Sequence, residues 1–426
     1  MNEFRTWAKT PPKGWNSWDC FGAAVTETDV HENAQYISEH LKEYGWEYVV
    51  VDIQWYEPEA DSSVYHPFTD LIMDEYSRLM PSEKRFPSSE NGNGFKTLGE
   101  YIHSLGLKFG IHIMRGVPRQ AVHQNTKIKN SDYTARDIAK PNSICPWNTD
   151  MYGVDPSHPG AKAYYTSLIE LYASWGVDFL KIDDTADSKL YGGHIEEIEL
   201  IREVIDESGR EIMLSLSPGP ASLEHGSFLQ NNANMWRLTD DYWDNWWQLY
   251  EMFEKSAKWS PFVREGNWPD CDMLPLGHIG VRSVDGGGGD RMSRFTKEEQ
   301  KSMMSLWSIF RSPLMFGGHL PDNDEWTLKL LQNHYLQELN EQSHSGFEVS
   351  RKKDIAIWHS QGSDCEWLAV FNLNDYSKNV EINFSEILLE AKGSIFDVWS
   401  DESKDYQETT RLDIQPHDVK LYKITR

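Results

Sequence analysis

Short, fully apolar runs rich in β-branched residues alternate with amphipathic segments along the first three quarters of the chain. Tyr48-Val49-Val50-Val51 follows a helical pattern from about Val30 to Tyr44. Leu107–Ile113 follows one from about Phe95 to Leu105, and Val177–Asp183 follows one from about Ala161 to Trp175. Ile212–Leu216 comes after a helix over His194–Ser208, and Met235–Leu238 comes before one near Trp243–Ser256. Gly266–Leu274 and Pro313–Phe316 flank a helix over Lys297–Phe310. Strands that are apolar on both faces must be covered on both faces, as in a parallel sheet wrapped by helices. About eight such units fit a closed (β/α)8 barrel better than an open doubly wound sheet. An open sheet would carry a glycine-rich phosphate loop after an early strand, and no such loop is present.

The pattern changes after about Gln342. Ile355–His359, Trp367–Phe371, Val380–Phe384, Ser394–Trp399 and Val419–Tyr422 read as short strands between polar turns. Their spacing fits an antiparallel β-sandwich. The predicted fold is therefore α/β: a (β/α)8 TIM barrel over residues 1–340, then a C-terminal antiparallel β-sandwich over 341–426. A module of that kind caps a barrel and need not bind anything.

Charge narrows the partners. Lys and Arg number 41 against 67 Asp and Glu, a formal net charge of −26, with no local basic cluster. Such a chain repels phosphate backbones and anionic membrane surfaces, which argues against nucleic-acid and membrane partners. No apolar run reaches the ~18 residues that span a bilayer. The start, Met1-Asn2-Glu3-Phe4-Arg5-Thr6-Trp7, lacks the pattern of a secretory leader, so a cytoplasmic location is expected. Cys20, Cys145, Cys271 and Cys365 are widely spaced, which suggests free thiols rather than a disulfide framework or zinc site. The 18 Trp residues supply either a large aromatic core or platforms for the apolar faces of sugar rings. Asp285-Gly286-Gly287-Gly288-Gly289-Asp290 lacks the Lys-Ser/Thr of a phosphate loop and reads as a barrel loop.

In a barrel of this type the working residues sit at the C-terminal strand ends. Several predicted strands end in acids: Asp52, Asp183-Asp184, Asp240-Asp241, and Asp270 with Asp272. Carboxylates accept strong hydrogen bonds from hydroxyls, and a pair of them can hydrolyse a glycoside. No His-x-His or Glu-x-x-His spacing accompanies them, so no metal site is indicated. Lys181 and Asp183 lie two apart on a strand and share a face. An ammonium there would keep the carboxylate ionised, as suits a nucleophile, or would form a structural ion pair. Asp241 follows another strand, near Trp236, Tyr242 and Trp243, whose burial of a carboxyl would raise its pKa as an acid requires. Alternatively, Asp240 or Asp241 caps the following helix.

Five motifs occur in order: Gly14-Trp15-Asn16-Ser17-Trp18, Val51-Asp52 with Trp55, Leu180-Lys181-Ile182-Asp183, Trp236-Arg237 with Asp241, and Trp268-Pro269-Asp270-Cys271-Asp272-Met273-Leu274. Together they resemble glycoside hydrolase family 27, the α-galactosidase family, over nearly the whole chain. The resemblance implies a retaining exo-glycosidase without cofactor, acting on a small carbohydrate. It places the nucleophile at Asp183 and the general acid/base at Asp241. Sugar-binding positions fall on Trp18, Asp52, Lys181, Arg237 and Asp272, with Trp55 of the second motif as a further aromatic candidate.

The departures bear on substrate. Most α-galactosidases carry two consecutive aspartates where this chain has Asp52-Ile53. Ile53 offers nothing to a galactose 6-hydroxyl and fills its space. β-L-arabinopyranose has the ring stereochemistry of α-D-galactose without that group, so the expected activity is that of a β-L-arabinopyranosidase. Ser217 replaces a glutamate-bearing segment, which keeps an α-N-acetylgalactosaminidase open beside an α-galactosidase. His112 stands where the family often has Tyr. The long segment Gly116–Asn148 shapes either the pocket or an oligomer contact, and a homo-oligomer stays open. Two readings of another kind are a non-catalytic sugar-binding protein and a metal-dependent barrel hydrolase.

Overall fold

The computed structural model describes residues 3–387 and 393–425. Met1 and Asn2 of the chain start, and 388–392 and 426 of the sandwich span, lie outside the described residues. Eight parallel strands form the barrel: β1 (Lys13–Asn16), β2 (Tyr48–Val51), β3 (Lys108–Met114), β4 (Phe179–Asp183), β5 (Met213–Leu216), β6 (Met235–Arg237), β7 (Trp268–Asp270) and β8 (Leu314–Phe316). Hydrogen bonding runs in the order β7-β6-β5-β4-β3-β2-β1-β8. A parallel bridge between Leu274 and Phe316 closes the ring. β2 is buried at all four positions, as its unbroken Tyr-Val-Val-Val run demands. In β1, Gly14 lies so close to the Tyr48 backbone carbonyl that a side chain there would collide with it.

Helices cover the outside of the ring. Lys297–Phe310 runs as the sequence predicts, started by a capping box between Thr296 and Glu299. The helix after β6 spans Trp246–Trp259, later than its apolar pattern suggests. Asn245 caps it by accepting a hydrogen bond from the Trp247 N–H, so neither Asp240 nor Asp241 performs that task. The segment after β3 is built rather than loose: a helix over Arg119–Gln124, then an antiparallel pair, Ala139–Ile144 with Met151–Val154.

Beyond the last barrel helix, His334–Gln342, the chain turns antiparallel. The strands are β9 (His344–Lys352), β10 (Ile355–Gln361), β11 (Cys365–Asn372), β12 (Lys378–Asn383), β13 (Gly393–Asp397), β14 (Glu402–Tyr406), β15 (Thr409–Ile414) and β16 (Val419–Thr425). One sheet runs β9-β10-β11-β16-β13-β14, and β12 pairs with β15 in the other. The five strands expected from apolar runs are all present. β9, β14 and β15 escape a sequence reading because they hold no run of consecutive apolar residues.

The sandwich seats on the barrel through aromatic contacts. Phe371 meets Phe253 edge-on at 4.9 Å, and Trp358 meets Phe310 at 6.3 Å. Trp399 Nε1 donates to Ser305 Oγ at 3.0 Å. All four cysteines are free and buried. Among the described residues, no helix is long and apolar enough to cross a membrane.

Phe371 is fully buried at this seam. Phe371→Ala should therefore lower stability by about 3–5 kcal/mol. Urea unfolding read by tryptophan fluorescence checks this, and an unchanged midpoint would show that the seam carries little of the stability.

Candidate active site

The C-terminal ends of the barrel strands surround a pocket of about 460 Å3, lined by Trp18, Asp52, Ile53, Tyr65, Trp147, Lys181, Asp183 and Asp241 among others. Its floor is an ordered array of charges. Lys181 Nζ donates to Asp52 Oδ2 at 2.9 Å, and Asn16 Nδ2 donates to the same oxygen at 2.8 Å. Ser17 Oγ accepts from the Asp52 N–H at 2.9 Å, and Asn16 Oδ1 accepts from the Trp18 N–H at 2.9 Å. The first motif is therefore a clamp: it fixes the Asp52 carboxylate and the Trp18 backbone together. Burial pushes the Asp52 carboxyl up, but Lys181, His112 and Asn16 outweigh it and hold it down at about 2.

Lys181 and Asp183 share the inner face of β4, yet they form no pair. The ammonium reaches across to Asp52, and the side-chain partner of Asp183 is His112, with Nε2 3.1 Å from Asp183 Oδ2. The His112 ring is fully buried and lies 4.0 Å from Asp52 Oδ1 as well. Asp183 Oδ1 accepts from the Asp184 N–H at 2.9 Å. Burial drives the Asp183 carboxyl up, but the His112 hydrogen bond, the charges of His112 and Lys181, and the Asp184 amide bring it below the usual carboxylate range. That direction favours the ionised form.

Across the mouth, Arg237 Nη2 contacts Asp272 at 2.7 Å and Asp241 at 3.1 Å. Asp272 also accepts from the Tyr242 N–H at 2.8 Å. Burial, opposed by Arg237, pushes both Asp270 and Asp272 up, and the charges of Asp241 and Asp270 add to the rise at Asp272. Asp241 is different: its side chain is 55% exposed. The expected aromatic enclosure is absent, because Trp236 and Tyr242 turn into the core. Asp240 pairs with Lys189 at 2.6 Å on the rim.

Three expected positions lie elsewhere. Trp55 is fully buried between barrel and helix, edge-on to Phe95 and Trp175, and its Nε1 donates to the His112 carbonyl at 2.7 Å. It braces β3 from behind and does not line the pocket. Trp236 packs on Trp259 in the core. Ser217 is buried, its hydroxyl 3.4 Å from the Ile182 carbonyl, and Pro218 lines the pocket in its place. Ile53, Trp18, Asp52, Lys181, Asp183 and Asp241 all line it. His112, Arg237 and Asp272 are buried and support it.

Sequence reasoning missed Tyr65 and Trp147. Tyr65 stacks on Trp18 at 5.8 Å, and Trp147 lies 5.9 Å beyond Tyr65. Both stand in loops with no motif around them. Trp147 shows that the long segment after β3 shapes the pocket. The glycine-rich loop is also held: Arg291 and Arg294 donate to the carbonyls of Gly286 to Gly289, and Arg291 pairs with the buried Asp244 at 2.8 Å. That clasp carries Asp285 to the pocket wall.

An ionised carboxylate at one strand end, a second carboxyl across an open mouth, and a ring of hydroxyl acceptors beside an aromatic wall define a glycoside hydrolase. Among the described residues, no three His, Cys, Asp or Glu side chains converge as metal ligands. A profile described as alpha galactosidase A matches residues 10–156 and 148–342, and that of the alpha galactosidase C-terminal beta sandwich domain matches 352–424. The chain belongs to glycoside hydrolase family 27, the α-galactosidase family. It is 26% identical to alpha-galactosidase 2 of Arabidopsis thaliana, over 98% of this chain and 90% of that protein. It is 56% identical to a GH27 β-L-arabinopyranosidase from Geobacillus stearothermophilus, solved with arabinose, at a TM-score of 0.98 over 100% of this chain and 99% of that one. A candidate α-N-acetylgalactosaminidase from Bacillus halodurans is 52% identical over 97% of both chains, at a TM-score of 0.89.

The Asp52 clamp also has a signature in stability. A carboxyl held at about 2 in the folded chain and near 3.8 when unfolded stabilises the fold above pH 4. That contribution, on the order of 2 kcal/mol, is lost as the pH falls through 4 toward 2. Asp52→Asn should flatten the fall of unfolding free energy over this range, measured by urea titration at a series of pH values. An equal slope in both proteins would mean that the clamp does not hold the charge.

Proposed function

We propose that the protein is a retaining β-L-arabinopyranosidase, with Asp183 as nucleophile and Asp241 as general acid/base. The observation that carries the substrate is Ile53, an apolar side chain on the pocket lining directly after the clamped Asp52. A sugar whose ring hydroxyls engage Asp52 and Lys181 presents its C5 substituent toward Ile53. A hydroxymethyl group there loses its water and gains no partner, which costs about 1–3 kcal/mol. A pyranose without that group leaves only a CH2 against the isoleucine, and apolar meets apolar. The likeness to the Geobacillus enzyme supports the same substrate. Ser217 gives no support to an N-acetyl pocket, since its hydroxyl turns to the Ile182 carbonyl.

In the first step, Asp183 attacks the anomeric carbon while Asp241 gives its proton to the leaving oxygen. Arg237, 3.1 Å from the Asp241 carboxyl, fixes its direction. Water in the open mouth keeps the free Asp241 solvated, and the bound glycoside displaces that water. In the second step, Asp241 takes a proton from water, which attacks the glycosyl ester and releases the sugar with its configuration retained.

Ile53→Asp should shift kcat/KM toward aryl α-galactosides, relative to aryl β-L-arabinopyranosides, by about 10–100-fold. An unchanged ratio would remove Ile53 as the determinant. Proton NMR of the first-formed product should show the anomer of the substrate, with Asp183→Ala inactive on both glycosides. Appearance of the opposite anomer would exclude the two-step route.

A further inference from the structure

The backbone just past Asp183 takes a conformation that side chains resist, and a buried guanidinium holds it there. Asp184 has a φ of 59°, in the left-handed region that residues with a Cβ seldom adopt. Its N–H donates to Asp183 Oδ1 at 2.9 Å. Arg115, one residue beyond β3, grips Asp184 at two points. Nε donates to the Asp184 carbonyl at 2.8 Å, and Nη2 lies 2.8 Å from Asp184 Oδ2. The Arg115 N–H donates to the Asp183 carbonyl at 3.1 Å, which extends the β3–β4 ladder by one residue.

Arg115 is itself fixed. Nη1 lies 3.4 Å from Glu197 Oε2, on the helix Ile195–Glu207. The Tyr165 hydroxyl, on the helix Pro159–Ser174, donates to Glu197 Oε1 and accepts from the Gly116 N–H at 3.1 Å. At Gly153 a side chain would come within 2.7 Å of Arg115 Nη1, so glycine leaves the guanidinium its place. Arg115 and Asp184 are each 2% exposed and stand outside the pocket lining, so neither touches a bound sugar. A buried ion pair alone is a poor stabiliser. Here the planar fork takes both the carbonyl and the carboxylate of one residue, which fixes a backbone conformation and not only a charge.

We infer that Arg115 is a positioning residue for the proposed nucleophile: by gripping Asp184 at two points it aims the Asp184 N–H at the Asp183 carboxylate. The inference rests on the role given to Asp183 above and adds what sets the direction of that carboxyl.

The test separates conformation from charge. Burial pushes the Asp184 carboxyl up to about 6 against the pull of Arg115, so assays are run above pH 7, where the pair is charged. Asp184→Asn and Asp184→Ala remove the same charge, but asparagine adopts the left-handed region readily and still accepts from Arg115. Asp184→Ala should lower kcat/KM about tenfold or more, and the conservative Asp184→Asn should recover it to within about threefold of native. Arg115→Lys keeps the charge without the fork, and should also lose about tenfold or more. The inhibition constant of the free sugar should stay within about threefold in all three variants, since Asp52, Lys181, Arg237 and Asp272 are untouched. Thermal melts report folding. Equal activity of Asp184→Asn and Asp184→Ala, full activity of Arg115→Lys, or weaker sugar binding in step with the lost activity overturns the inference. The substrate is whichever of the aryl β-L-arabinopyranoside and the aryl α-galactoside the native enzyme cleaves, with its own free sugar as inhibitor, so a failed substrate assignment leaves the comparison standing. An active Asp183→Ala overturns the nucleophile reading and this inference with it, whereas an inactive Asp183→Ala beside a fully active Arg115→Lys overturns this inference alone.

Discussion

The Lys181–Asp52 ion pair is the contact on which the pocket depends. It ties β4 to β2 across the barrel mouth, at 2.9 Å, in a buried setting where an unpaired charge would be costly. Both partners carry further duties. Asp52 is held by Asn16 and flanked by His112, and Lys181 lies close enough to lower the Asp183 carboxyl. Taking away the ammonium would leave two carboxyls and a histidine to share one buried space. Protonation would follow, and with it the loss of both the proposed hydroxyl acceptor and the proposed nucleophile. Binding and chemistry therefore draw on one electrostatic arrangement rather than two.

The same arrangement explains the division of labour between the two acids. Asp183 sits against His112 and the Asp184 amide, in surroundings that favour the ionised form. Asp241 stands across the mouth, half-exposed, tethered to Arg237. In the proposed mechanism one carboxyl is prepared in advance, and the other takes its enclosure from the substrate. The proposed determinant of specificity is Ile53, directly after the clamped Asp52. Ile53 is placed there by its backbone, whose N–H donates to Asp52 Oδ1 at 2.9 Å. Its side chain thus has a fixed relation to the carboxylate proposed to orient the sugar.

Much of this was legible in the sequence. Apolar strands covered on both faces announce a closed parallel barrel, and acids at their ends announce where the site lies. What stayed hidden has a physical reason in each case. Trp55 carries the same residue type as Trp18, but its ring turns back to brace His112 through a backbone carbonyl, and side-chain direction in a loop has no period. Tyr65 and Trp147 reach the pocket from irregular segments, where no spacing marks a shared face. Strand periodicity puts Lys181 on the face of Asp183 but does not give the reach of its four-carbon stem, which ends on Asp52. β9, β14 and β15 scatter their apolar residues among polar ones, so no run marks them.

The most direct measurement is a crystal structure of the Asp183→Ala protein with a β-L-arabinopyranoside bound. The C5 methylene should lie in van der Waals contact with Ile53, within about 4.5 Å, with ring hydroxyls on Asp52 and Lys181 and the glycosidic oxygen facing Asp241. A sugar whose C5 points away from Ile53, or a galactoside bound with its hydroxymethyl group seated comfortably against that side chain, would contradict the account.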